Sequence, residues 1–300
     1  MRCARVVHLQ GIVPTALRFA TVQVVQAVRS PNVRAVLSEH GLSPSRALGQ
    51  HFLTDPNTAR RIVRLADIGA GDRVLEIGPG LGSLTVALAD AGARVLALEL
   101  DRHLLPALHS VVDGLEAVEV VQGDAMTFDV AAALGDEPCV CVSNLPYNVA
   151  TPVVIRLLEH APQVDRMLVM VQREVGERLA APPGTRACGP ASVKVAYYGD
   201  ARMVGAVPRT VFHPQPKVES ALVRIDRRAE PAVDVPSPET MFALARAGFG
   251  QRRKTLRRAL RPLLGPDAAA TLEQAGIDSS ARAESLDLAQ WAELARQVVR

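Results

Sequence analysis

Val74-Leu75-Glu76-Ile77-Gly78-Pro79-Gly80-Leu81-Gly82 is a short apolar run closed by an acid and a glycine loop, and Ser83 to Ala91 continues it with helical spacing. Strand, glycine turn, helix is the opening unit of an α/β sheet, in which glycines accept positive φ and let backbone N–H groups approach a ligand. Phosphate is disfavoured here. No Lys-Ser/Thr pair follows the loop, the spacing is not that of a dinucleotide fingerprint, and Glu76 at the strand tip would repel an anion. The acid suits a cationic or hydroxyl-bearing ligand instead. A tight turn with no ligand is the other reading of the same residues.

Working outward, Asp55-Pro56 is an N-cap followed by proline at the first helical position, with Ala59, Ile62, Val63 and Ala66 on one apolar face. Beyond the loop, strands are expected at 94–98, 118–122, 139–142 and 167–171, alternating with helices at 104–112 and from Thr151. Apolar strands alternating with helices imply a parallel sheet covered on both faces, a doubly wound α/β domain. Pro231, Pro236 and Pro238 mark a linker, after which 239–300 reads as helices only.

The 300 residues are 48 % hydrophobic and 22 % charged, enough for one large domain and a small one. The net charge of +3 says little, but seven basic residues and no acid lie between Arg246 and Arg261. Only three of the 34 basic residues are lysines, a skew that reflects genomic composition. Cys3, Cys139, Cys141 and Cys188 make no CxxC pair or zinc spacing, so no metal is expected, and nothing argues for disulfides, which fits a reducing cytoplasm. Cys139 and Cys141 alternate on one buried strand face. No run approaches the length of a membrane span. Residues 1–30, arginine-bearing and without an acid, are expected to be an extension, disordered or the product of an upstream start codon. A short capped helix is expected from Ser30-Pro31 to Gly41.

Polar groups stand at four successive strand ends. Glu76 follows the first, Glu99 the second, Asp124 the third and Asn144 the fourth. Ligands of open α/β sheets lie at these carboxyl ends, where an acid after the second strand binds ribose hydroxyls and a carboxylate after the third accepts from an adenine amino group. An adenosine without phosphate is the ligand implied. In Ser143-Asn144-Leu145-Pro146-Tyr147, Asn144 offers an acceptor and a donor, Pro146 turns the backbone outward, and Tyr147 supplies a ring face. Two acceptors beside a ring suit an exocyclic amine; a strand end closed by an Asn-Pro turn is the plainer reading.

Together, Glu76-Ile77-Gly78-Pro79-Gly80-Leu81-Gly82, Leu98-Glu99-Leu100-Asp101, Gly123-Asp124-Ala125-Met126 and Asn144-Leu145-Pro146-Tyr147-Asn148 resemble the S-adenosylmethionine and target motifs of the KsgA-type ribosomal RNA adenine dimethyltransferases. The resemblance takes in Leu48 to Leu53, Met170 to Val175, Pro216 to Ser220 and Gln251 to Thr255, and covers roughly residues 46–290. It implies a Rossmann-like class I methyltransferase domain over 31–230 and an all-helical RNA-binding domain over 239–300. The implied reaction moves methyl groups from S-adenosylmethionine to N6 of two adjacent adenines near the 3′ end of small-subunit ribosomal RNA, leaving S-adenosylhomocysteine. The implied partner is a 30S assembly intermediate, met by a cytoplasmic monomer.

Residue by residue, the resemblance places His51 and Leu53 over the donor, Gly78 at the close backbone approach, Glu99 on the ribose and Asp124 on the donor adenine. Asn144, which also borders the donor, Leu145 and Tyr147 would hold the target adenine, with Phe212 stacked on its other face. For His51 a partly buried structural role, and for Phe212 a core role, are the competing readings. Arg252, Arg253, Lys254, Arg257, Arg258 and Arg261 include i, i+4 pairs on one expected helix, a basic face suited to RNA phosphates or simply to solvent. The target base must be unpaired or flipped to react. Two departures are visible: Cys188-Gly189 where many relatives carry Tyr-Gly, and His213-Pro214-Gln215-Pro216 in place of a more proline-rich run. Two other functions are compatible with these motifs: an Erm-type methyltransferase of large-subunit RNA, conferring macrolide resistance, and a ribosome-assembly factor whose RNA binding matters more than turnover.

Overall fold

In the computed structural model, which describes residues 30–299, the opening strand forms at Arg73–Ile77 (β1) and stays buried from Val74 onward. Six further strands join it: Arg94–Glu99 (β2), Val118–Gln122 (β3), Cys139–Asn144 (β4), Val164–Gln172 (β5), Gly199–Val207 (β6) and Ser220–Arg227 (β7). The sheet order is β3-β2-β1-β4-β5-β7-β6, parallel through β5 and antiparallel for the last two. Apolar residues cover both faces, one cluster running from Leu75 to Ile225 and the other from Leu53 to Leu222. Burial on two faces is why β1, β4 and β5 read as continuous apolar runs rather than alternating ones.

The helices are Val33–Glu39 (α1), Pro56–Leu65 (α2), Ser83–Asp90 (α3), Leu105–Val112 (α4), Val130–Leu134 (α5), Ala150–His160 (α6), Arg173–Leu179 (α7) and Pro190–Tyr198 (α8). Asp55 caps α2 as expected, accepting from Asn57 and Thr58 N–H. The cap of α1 is Asn32, not Ser30, since the Asn32 side chain is the one that accepts from Ala35 N–H. The carbonyls that end α6 are collected by one guanidinium: Arg227 donates to Leu157, Leu158 and Ala161 oxygens at 2.9–3.1 Å. That bond set fixes β7 against the helix end, where backbone acceptors lack intrahelical partners.

Sequence patterning did not announce β6 and β7. Along β6 the polar residues Asp200 and Arg202 and the glycines Gly199 and Gly205 dilute the strand signal, and the register slips between Met203 and Gly205. It is an antiparallel edge strand, half solvated and bulged, and such strands carry weak apolar runs.

Past residue 237 the structure is helical throughout, with Pro238–Gly250 (α9), Leu256–Ala259 (α10), Arg261–Leu264 (α11), Ala268–Gln274 (α12), Leu288–Val298 (α13) and short 3-10 turns. Their core includes Trp291, Leu272 and Phe249, together with Cys188, Val193 and Tyr197 from α8 and the loop before it. Cys188 is thus a packing residue of the helical unit, fully buried, and burial pushes its thiol pKa up. Cys139 and Cys141 share one core cluster as free thiols. The expected single basic helix is corrected: α9 stops at Gly250, 251–254 turn, and Thr255 begins the one-turn α10. Among the described residues no helix is long and apolar enough to cross a membrane. The extension expected at the N-terminus falls outside the described residues save for Ser30.

Candidate active site

Ladder pairing between β1 and β4 ends at Leu75 and Cys141. Two residues on, the Ser143 hydroxyl takes the place of a ladder carbonyl, accepting from Ile77 N–H at 2.8 Å. Beyond that bond the chains leave the sheet and a cleft of about 830 Å³, counted to its open mouth, lies between the Gly78–Gly82 loop and Asn144–Val149. This is the place where the direction of winding reverses, the position at which open α/β sheets bind ligands.

Two glycines make the loop possible. Gly78 has φ +71°, and a Cβ on it would sit 3.4 Å from Pro146 Cδ. Gly80 has φ +59°, and a Cβ there would meet the Phe52 ring at 2.9 Å. Both positions therefore disfavour side chains on backbone grounds, and Gly80 on steric grounds as well, whereas at Gly78 a Cβ would make only an ordinary contact. Gly80 N–H donates to Glu99 Oε2 at 3.0 Å, and Asp101 N–H to Glu99 Oε1 at 2.8 Å. Glu99 is in this way held at the end of β2 on the cleft wall, where burial raises its pKa against those hydrogen bonds.

Glu76 is the unusual group. It is 1 % exposed, and burial pushes its carboxyl up to about 8, opposed by the neighbouring Thr85 hydroxyl and reinforced by the charge of Glu99. Its Oε2 has no hydrogen-bond partner among the described residues, although the residue lines the cleft. The lining contains these two carboxyls and no lysine or arginine. A phosphate would find no cation there; a ligand with cationic and hydroxyl groups fits, since an orphaned buried acceptor is what an ammonium would satisfy.

The third wall is the segment before α2. Phe52–Leu53 pairs antiparallel with Phe212–His213, which brings His51 to the cleft mouth. His51 is fixed from both sides: its ring Nδ1 lies 2.7 Å from Pro214 O, and its carbonyl accepts from Asn144 Nδ2 at 3.0 Å. With its NH2 so engaged, Asn144 has its side-chain oxygen left as the acceptor for an incoming amine. The Tyr147 ring packs against His51 at 5.1 Å between centroids, and its hydroxyl meets Ser220 Oγ at 2.5 Å. Leu145 is buried, its N–H bonded to Met170 O at 3.1 Å, so its place on the wall is a matter of backbone.

The cleft therefore gathers His51, Leu53, Gly78, Glu99, Asn144, Leu145 and Tyr147, and does not include Asp124 or Phe212. Asp124 lies one strand further along, where its Oδ1 accepts from Met126 N–H at 2.8 Å and closes the turn after β3. Phe212 is corrected from a cleft wall to a core position, 4 % exposed among Leu53, Ile62 and Met170. The competing core reading is the one this conformation holds. Three contributors had no role from sequence: Gln50, Ser220 and Leu100. Leu100 is an apolar side chain directly after a strand-end acid and half exposed on the cleft, and that juxtaposition was the available signal. Among the described residues no group of three or more His, Cys, Asp or Glu side chains is placed to hold a metal ion.

A family model described as ribosomal RNA adenine dimethylase matches residues 42–299. The chain belongs to that family. This dimethylase is 49 % identical to the ribosomal RNA small subunit methyltransferase A of Rhodococcus opacus, over 88 % of this chain and 92 % of that one. Its identity to the protein of the same name from Magnetococcus marinus is 46 %, covering 88 % and 95 %. Among solved structures, a dimethyladenosine transferase from Plasmodium falciparum superposes on the dimethylase with a TM-score of 0.67 at 25 % identity, over 81 % and 96 % of the two chains. The 23S rRNA methyltransferase ErmE does so at 0.63 and 29 %, over 83 % and 100 %. The dimethylase is thus an enzyme, a methyltransferase of Rossmann-like fold with a helical C-terminal part.

Proposed function

We propose that this dimethylase moves methyl groups from S-adenosylmethionine to N6 of two adjacent adenines near the 3′ end of small-subunit ribosomal RNA. It acts as a cytoplasmic monomer, without a metal, on a 30S assembly intermediate. The observation that carries the reading is the cleft itself, two buried carboxyls and no basic side chain at one end, and the Asn144 acceptor at the other. The small subunit is favoured over the large because the relatives named for it share 46–49 % of their residues with this chain, against 29 % for ErmE.

Glu99 holds the donor's ribose, Glu76 faces its cationic end, and Gly78 permits the close backbone approach. Asp124 keeps a second carboxylate oxygen for the donor adenine. When bound, S-adenosylmethionine supplies an electrophilic methyl on a sulfonium. The target nitrogen is a poor nucleophile because its lone pair is delocalised into the ring. Asn144 Oδ1 and the Leu145 carbonyl accept its two hydrogens, which favours a pyramidal nitrogen with the lone pair free for in-line attack. Tyr147, steadied by Ser220 and His51, gives the base a flat face. Catalysis by these groups rests on positioning and on stabilising charge that develops on nitrogen, and the proton leaves afterwards.

The test is to incubate the protein with methyl-labelled donor and separated ribosomal subunits and to map the modified adenines. Label in small-subunit RNA is expected; label confined to large-subunit RNA would overturn the assignment.

The RNA-facing residues need revision in one respect. Arg253, Lys254, Arg257 and Arg258 are exposed. Arg252, exposed like them, is in addition tied down: it pairs with Glu284 at 3.1 Å, donates to Arg186 O at 2.9 Å and lies over the Phe249 ring. Replacing Arg253, Lys254, Arg257 and Arg258 by alanine is expected to weaken RNA binding and to flatten its salt dependence by about 0.7–0.9 log units per lost phosphate contact. Arg252→Ala should leave the slope nearly unchanged while lowering the melting temperature. Binding measured from low to moderate salt decides both, and an unaltered slope in the fourfold variant would return this surface to solvent.

A further inference from the structure

Gln50 sits in the stretch that covers the cleft, and both ends of its amide are used. Oε1 accepts from Ser45 N–H at 2.7 Å, and Nε2 donates to Asp101 Oδ2 at 2.8 Å. A donor and an acceptor on opposite sides fix the amide in one orientation. Asp101 is itself held: its Oδ1 accepts from His103 N–H at 3.0 Å, and its own N–H donates to Glu99 Oε1 at 2.8 Å. One side chain therefore connects the loop before α2 to the residue that orients Glu99. From Ser45 to Gln50 that loop has no helix or strand of its own. Its other side-chain tie to the sheet side, Asn148 Nδ2 to Ala47 O, is long at 3.3 Å.

We infer that Gln50 is a positioning residue that clamps Ser45–Leu53 to the carboxyl end of β2 and thereby sets how tightly the cleft retains the methyl donor. The inference rests on the donor assignment proposed above. The clamp acts through the Ser45–Gln50 loop, which runs directly into His51 at the cleft mouth, and through Asp101, whose N–H donates to Glu99.

The arrangement permits an exchange of donor and acceptor. In Gln50→Glu one carboxylate oxygen still accepts from Ser45 N–H, while the other faces the Asp101 carboxylate, a like-charge contact where a hydrogen bond stood. Adding Asp101→Asn keeps an oxygen for His103 N–H and turns an NH2 toward the new carboxylate, restoring the bond in reverse. S-adenosylhomocysteine, which cannot react, is the probe, with Kd from calorimetry. We expect Q50E to raise Kd about tenfold, D101N to raise it less, and Q50E/D101N to return within about threefold of the unmodified protein. A general loss of structure would not be repaired by a second substitution of this kind. A second readout needs no ligand: trypsin cleavage after the exposed Arg46 should quicken in Q50E and slow again in the double variant. A double variant no better than Q50E in both measurements, or a Q50E as tight and as resistant as the unmodified protein, overturns the clamp. Failure of the unmodified chain to bind S-adenosylhomocysteine, with trypsin behaviour as expected, would instead remove the donor assignment and leave Gln50 only its hold on the loop.

Discussion

Asn144→Ala will lower methyl transfer by at least ~10²–10³-fold, the loss expected when one of two groups aimed at developing charge is removed from a desolvated site. Donor binding should stay within about threefold of the unmodified protein, since the alanine loses one hydrogen bond to the His51 carbonyl and none of the Glu99 contacts. The split between the two numbers is what tests the assignment. An Asn144 that merely ended a strand would, on removal, weaken donor binding and turnover together or touch neither. Single-turnover transfer to small-subunit RNA, set beside calorimetric binding of S-adenosylhomocysteine, separates these cases. Equal losses in both would sink the role given to Asn144.

Glu76→Gln will change how stability depends on pH. Glu76 is a carboxyl whose pKa is raised by burial from an ordinary 4.5 to about 8 in the folded protein. Below pH 4.5 it is protonated folded or unfolded, so its contribution is complete. Between 4.5 and 8 the unfolded chain has released a proton that the folded chain keeps, and folding stability falls by roughly 1.4 kcal/mol per pH unit from this group alone. Above about 8 the loss levels off. Burial of Glu99 acts in the same direction. In urea titrations at pH 5 and pH 8, Glu76→Gln should therefore show a shallower fall than the unmodified protein and be the more stable of the two at pH 8, by on the order of 3 kcal/mol. The same substitution should weaken donor binding. A cationic ligand beside Glu76 favours the carboxylate, so binding below pH 8 releases a proton, and calorimetry in buffers of different ionisation enthalpy will register that release in the unmodified protein and its absence in the variant. A pH profile indifferent to Glu76→Gln would mean that solvent reaches the carboxyl.

The centre of the sheet and most of the cleft were legible because local rules and tertiary structure agree there. Strand β1, its glycine turn and α3 follow one another without interruption, and Glu99 and Asn144 stand at strand ends where the fold places binding groups. What sequence could not show depends on partners distant along the chain. Arg252 looks like one basic residue among several until Glu284 is brought to it. Phe212 carries an aromatic ring beside a proline-rich loop, and only the packing of Leu53, Ile62 and Met170 around it makes it core. The basic run kept its i, i+4 spacing in sequence but not in space, because Gly250 ends one helix and Thr255 starts another.

The joint core of α8 with the C-terminal helices bears on how such a chain can be divided. Val193 and Tyr197 belong by sequence to the half that carries the cleft, yet they are buried against Phe242, Trp291 and their neighbours. A cut in the proline-marked linker at 231–237 would strip that cover and leave an apolar helix face on the catalytic half, a surface prone to self-association. The helical unit is thus no detachable appendage. An exchange of RNA-binding parts between relatives would have to carry α8 along, or rebuild its outer face with polar residues.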